Sequence, residues 1–161
     1  MMNHPNGVRD YFAALVAGSG INPQFAGGLE IKSFYYGDST RLIEATRSNI
    51  SYPVMHLSVP EYYPSDNIAG DYDAEARFDV AVLTNCTRDD YDAQDNAWDT
   101  NYRILLRVLS ILYQDRIPQQ YYLSLSATAI VPISEYFVDN MYGYMLTVRM
   151  QRTGFMEICP L

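Results

Sequence analysis

The sequence predicts an α+β fold: a single domain over residues 1–161, with a mostly antiparallel, mixed sheet packed by two or three helices. Three observations predict it. Apolar residues recur at helical spacing near the start of the chain and again over residues 92–114. Several short segments between and after these alternate with period two, as half-buried strands do. Some of those segments follow one another without an intervening helix, which fits hairpins better than parallel crossover units.

The elements follow in order. Val8, Tyr11, Phe12, Leu15 and Val16 form an amphipathic helical pattern, and Gly18 and Gly20 come where a helix stops. LEIKSFYY, residues 29–36, alternates like a strand. Asp38 and Ser39 can cap a second helix to about Arg47, with Leu42, Ile43 and Thr46 inward. VMHLSV, residues 54–59, is a strand bounded by Pro60. EYYPSDNIAGDYDAE, residues 61–75, is rich in acids and turn formers and reads as a loop or a long hairpin arm. ARFDVAVLTNC then sets Phe78, Val80 and Val82 against Ala81 and Leu83, the pattern of a central strand buried on both faces. A long core helix follows from about Asp92 to Gln114. Its stripe is Trp98, Tyr102, Leu105, Leu109 and Leu112, widened by Ile104, Val108 and Ile111. QYYLSLSATAIVP reads as a strand, ISEYFVDN as its connection, and YGYMLTVRMQ as a last strand paired with it.

Composition narrows the function. Nineteen acids against eleven bases give a formal charge of -8, the wrong sign for a protein that works by neutralising phosphates, so sequence-specific nucleic-acid binding is not expected. No apolar run approaches the roughly 20 residues that span a bilayer, so no membrane partner is expected. Lys32 is the sole lysine, and every other cation is arginine, which suits planar and stacked contacts. Fifteen tyrosines are the oddity of the composition. Each offers a large contact area with a polar tip, which suits either a half-covered sheet or an interface. Cys86 and Cys159 are the two cysteines, and both are expected to be reduced.

No catalytic constellation stands out in the sequence. His4 lies in the first residues, and His56, within a strand, reads as a hydrogen-bonded structural histidine, so no serine, cysteine or threonine has an evident base. No catalytic residue, metal or cofactor is expected. Scattered Cys and His do not make a zinc pattern. Asp89, Asp90, Asp92, Asp95 and Asp99 lack the glycine and closing glutamate of a calcium loop, and their place at the start of the long helix suits capping and the helix dipole. GSGIN and FAGGLE match no phosphate-binding loop.

The C-terminal portion carries a more particular pattern. FDVAVL, a polar turn and the long helix precede PISEYFVDNMYGYMLTVRMQ, and the chain closes on GFMEICPL. This arrangement resembles small tail-completion or tail-terminator-like proteins of tailed phages and prophages. Divergent versions of these begin their last strand with a D-N-x-x-G-[WY] element, here Asp139, Asn140, Gly143 and Tyr144. The resemblance implies a non-enzymatic structural subunit that forms a homo-oligomeric ring, often a hexamer and in some cases only on the tail. Such a ring caps the tail tube and meets the head connector. It implies residence in the host cytoplasm during assembly and then in the virion tail. The acidic segment from Glu61 to Glu75 has no evident counterpart in the family.

Within that expectation, Tyr62 and Tyr63 of the acidic segment, and Tyr136, Phe137 and Tyr142 before the last strand, are the candidate protein contacts. Trp98 and Leu105 are candidate core residues. Gly143 is expected at a positive φ or at a close backbone contact. Two other classes stay open: a ligand- or metal-binding domain or small enzyme whose site is scattered in sequence, and a monomeric adaptor with a tyrosine-rich face.

Overall fold

Val8, Phe12 and Val16, four residues apart, fall on one side of helix α1 (Pro5–Gly18) and are buried there. In the computed structural model, which describes residues 5–38, 50–66, 72–125, 128–136 and 140–152, α1 lies on a seven-stranded mixed sheet. Its strands are β1 (Ser33–Tyr36), β2 (Val54–Leu57), β3 (Glu61–Asp66), β4 (Tyr72–Asn85), β5 (Tyr122–Leu123), β6 (Ala129–Tyr136) and β7 (Met141–Arg152). The second described helix, α2 (Tyr91–Asp115), follows β4. The α+β expectation holds.

Two long strands form the middle of the sheet. β4 and β7 pair antiparallel from Ala74 opposite Arg152 to Asn85 opposite Met141. Each is flanked by a line of strand that is interrupted. Along β4, β2 pairs at residues 80–83 and β3 at residues 72–77, so residues 58–60 face only Phe78 and Asp79. That is a bulge, held by Ser58 N–H donating to the Asp79 carbonyl and Ser58 Oγ accepting from Asp79 N–H. Along β7, β5 pairs at residues 150–151 and β6 at residues 141–147, with a register shift in β6 between Ile133 and Tyr136. β1 closes one side, parallel to β2, and is the one parallel pair among the described strands.

Alternation along β4 puts Phe78, Val80 and Val82 on the helix-covered face, and Ala81 and Leu83 on the other. Both sets are buried, as the uninterrupted apolar run requires. Phe12 of α1 meets Phe78 edge-on, with ring centroids 5.7 Å apart. Tyr11 on the same helix donates its hydroxyl to Asp115 at the end of α2, 2.7 Å away. The two helices and the sheet thereby share one core. Full burial of a leucine- or phenylalanine-sized side chain in it contributes about 1.5–3 kcal/mol.

Several expectations need correction. The strand expected at residues 29–36 shortens to β1, while Leu29 and Ile31 fill the core from irregular backbone. The helix expected from Asp38 to Arg47 lies almost wholly outside the described residues. Of the two readings of the acidic stretch after Pro60, loop or hairpin arm, the structure shows the second, since β3 pairs with the first half of β4. The strand expected at residues 120–132 divides into β5 and β6, and β6 extends to Tyr136 through residues read as a connection.

The largest correction is the phase of α2. Its buried residues are Gln94, Ala97, Asn101, Ile104, Leu105, Val108, Ile111 and Leu112, whereas Tyr102 is 40 % exposed and Trp98 and Leu109 are half-buried. The inward line passes through the amide of Asn101 because that amide has a partner in the sheet.

Candidate interaction surface

Where α2 crosses the head of β7, three residues form one device. Gly143 sits so close to β4 that a Cβ there would lie 2.0 Å from the Val82 carbonyl oxygen and 2.9 Å from Asn101 Nδ2. The missing side chain lets the wholly buried Asn101 reach the strand, where Nδ2 donates to the Tyr142 carbonyl at 3.0 Å and lies 3.1 Å from Thr84 Oγ1. One residue type thus makes room for the other. Asn140, just before β7, takes a left-handed backbone conformation (φ 49°), tolerated by asparagine, and its carbonyl accepts from Cys86 N–H. Replacing Asn101 with leucine keeps the number and branching of the side-chain heavy atoms and removes the amide. We expect a loss of roughly 1–3 kcal/mol in urea unfolding, the cost of stranding buried polar partners; a loss under about 0.5 kcal/mol would show that the amide does not tie helix to strand.

Tyr142 is buried at this junction, its ring edge-on to Trp98 at 5.6 Å. It is therefore a packing residue, and the expectation that it offers an anchor to a partner is corrected. Trp98 is half-buried and donates Nε1–H to the Ile133 carbonyl of β6 at 3.1 Å. Leu105 is fully buried. The backbone of Tyr136 pairs with Met141 at the end of β6, and Phe137 and Asp139 lie outside the described residues.

Among the described residues, His56, Cys86 and Asp90 have structural partners. His56 is buried and hydrogen-bonds the Gly37 carbonyl through Nε2 at 2.9 Å. Burial lowers its pKa from 6.5, against the opposing pull of that hydrogen bond and of Asp38 and Asp79. The unfolded chain then binds the proton first as pH falls below about 6.5, so the folded state loses stability as the pH drops through that value towards the lowered pKa. His56→Gln should shrink the fall in melting temperature between pH 7 and pH 5; an unchanged fall would show that His56 does not contribute to it.

Cys86 is a buried free thiol, and burial first, then Asp90, raises its pKa, which makes it a poor nucleophile. It borders a shallow hollow of about 410 Å³ with Tyr52, Asn85, Asn96 and Thr100. Asp90 caps α2, its Oδ1 accepting from Ala93 N–H at 3.0 Å. Among the described residues, no three His, Cys, Asp or Glu side chains converge as metal ligands.

Aromatic and arginine side chains gather instead on two outer surfaces. On the hairpin arm, register places Glu61 opposite Arg77 and Tyr63 opposite Glu75, so the four share one face of the sheet. The Arg77 guanidinium lies over the Tyr63 ring, 4.1 Å from its centroid, and pairs with Glu75, while the Tyr63 hydroxyl donates to Glu61 at 2.6 Å. Tyr63 is 43 % exposed. Tyr62, one residue earlier, turns the opposite way and packs on the core, and burial pushes its hydroxyl pKa up to about 12. The two tyrosines therefore divide the work, Tyr62 anchoring the arm and Tyr63 facing outward.

The second surface is the outer side of α2. Tyr102 and Leu106, one turn apart, are each 40 % exposed, and exposed Arg103 and Arg107 follow them in sequence. Tyr102 leans on Tyr144 of β7 with centroids 5.3 Å apart. Arg103 lies 3.7 Å from Asp99 across one turn, a solvent-exposed pair that restrains it weakly. The sequence matches no protein-family model and no curated protein sequence.

Proposed function

We propose that this protein is a structural subunit of a phage or prophage tail, similar to tail terminators. It assembles in the host cytoplasm as a ring on the end of the tail tube and presents a surface to the head connector. The observation that carries this reading is the backbone role of the motif behind the resemblance. Asn140 supplies a left-handed residue before β7 and Gly143 the close approach at its head, so the motif makes sense as the start of a central strand without any catalytic duty. Two further features support it: the buried setting of His56 and Cys86, and the exposure of Tyr63, Tyr102 and Leu106, among them the aromatic type that anchors interfaces. A negative overall charge also suits a channel through which DNA must slide.

The test is co-expression with the tube and connector proteins of the same gene neighbourhood, followed by electron microscopy. The protein should be found at tail ends, and its deletion should give tubes of irregular length. Tubes of normal, uniform length in its absence, or no association with tails, would remove the reading.

A further inference from the structure

We infer that the hairpin arm of one copy docks against the outer side of α2 on the next copy, a head-to-tail contact between two different surfaces. The inference rests on the assembly reading above and assigns the two halves of its interface. Charge supplies the first argument. Residues 61–77, which include the two paired strands of the arm, hold five acids and one arginine, Arg77, which pairs with Glu75. The exposed side of α2 changes sign along its length, with Asp92, Asp95 and Asp99 towards the start and Arg103 and Arg107 beyond them. The early acids complement the helix dipole, but the two arginines stand in the middle of the helix, with no basic residue in its last turn, so the dipole does not account for them. An acidic arm and an arginine ridge on one chain are complementary between copies, and where the contact is head to tail it propagates into a ring when the rotation closes.

The second argument is the kind of apolar group present at each place. The arm offers Tyr63, and α2 offers Tyr102 and Leu106 beside the arginines, the mixture of aromatic anchor and arginine found in the energetic centres of interfaces. The third argument concerns the sheet edges. β3 and β6 each lie on the rim of the described sheet, and each carries a proline within it, Pro64 and Pro132. Proline lacks the amide that an added strand would use, so strand addition is discouraged along β3 and β6, and on the arm a side-chain contact is favoured.

Sedimentation velocity over a concentration series, in low and in high salt, tests this with the purified chain. Wild-type protein should self-associate, and the apparent dissociation constant should weaken by roughly tenfold between about 50 and 500 mM salt, as screening predicts. Arg103→Glu with Arg107→Glu should leave a monomer, and so should Glu61→Arg with Glu75→Arg. A mixture of the two double variants should associate again, because each arm then meets an α2 surface of opposite sign. Circular dichroism confirms that each variant is folded; for a pair that is not, Arg103→Gln with Arg107→Gln or Glu61→Gln with Glu75→Gln takes its place and should weaken association about tenfold. A monomeric wild type at every concentration, association indifferent to all these substitutions, or two folded charge-reversed variants that stay apart on mixing would each overturn the contact. Association in solution without tail localisation would defeat only the tail reading, and tail localisation without self-association would defeat only this contact.

Discussion

Gly143→Val should cost roughly 3 kcal/mol or more, a large fraction of the stability of a domain this size. The reason is space alone. A Cβ at residue 143 would lie 2.0 Å from the Val82 carbonyl oxygen, an atom of a central strand paired on both sides, so no flexible side-chain end can swing away. Overpacking against mobile neighbours costs about 1–3 kcal/mol, and here β4 and β7 must part or α2 must lift. Gly143→Ala should be nearly as harmful, because the first carbon already collides. Thermal unfolding of both variants is the measurement, and an unchanged melting temperature for either would remove the close approach from this account.

Leu105→Ala should cost about 2–5 kcal/mol, the range for emptying a buried leucine site. Leu105 is fully enclosed between the sheet and the helices, whereas Leu109, one turn on, is only half-buried. Leu109→Ala is accordingly expected to lose roughly 1 kcal/mol. The contrast is the sharper test, since both leucines belong to the apolar stripe in sequence and only the phase of α2 separates them. Urea unfolding that ranks Leu109 above Leu105, or that finds less than about 0.5 kcal/mol at Leu105, would show the helix to be rotated from this arrangement.

Periodicity made much of the fold legible. The four-residue repeat of Val8, Phe12 and Val16 announced α1, and the two-sided apolar run from Phe78 to Leu83 announced a central strand. Asp90 before the long helix was legible as capping chemistry. The same signals blurred where local rules compete. The split between β5 and β6 was missed because QYYLSLSATAIVP alternates throughout, and only its pairing with β7 shows that the register shifts between Leu123 and Ala129. Acids, proline and glycine left residues 61–75 readable as a loop or as a hairpin arm, and the pairing of residues 61–66 with β4 decides for the arm.

For the candidate surface, Tyr63 was found by its residue type and setting, but Arg77, Arg103 and Leu106 were not singled out. Arg77 follows Tyr63 by fourteen positions, and the two meet because β3 folds back on β4. Tyr142 was misplaced for a related reason: a tyrosine near a strand end suits an interface by composition, and only the three-dimensional crossing of α2 over β7 encloses it against Trp98.

By itself the amino-acid sequence determined the fold class, most of the elements, the two-sided burial of β4, and the need for a special backbone position at Gly143, because helix and strand periods, caps and glycine positions are local properties of the chain. Only the tertiary structure decided which stripe of α2 turns inward, where strands change register, and which aromatic rings remain outside. A shift of one residue turns a helical side chain by about 100° and sends a strand side chain to the opposite face. Those choices were settled by contacts between residues far apart in the chain: Asn101 reaching the Tyr142 carbonyl, Gly143 yielding to Val82, and Tyr63 meeting Arg77.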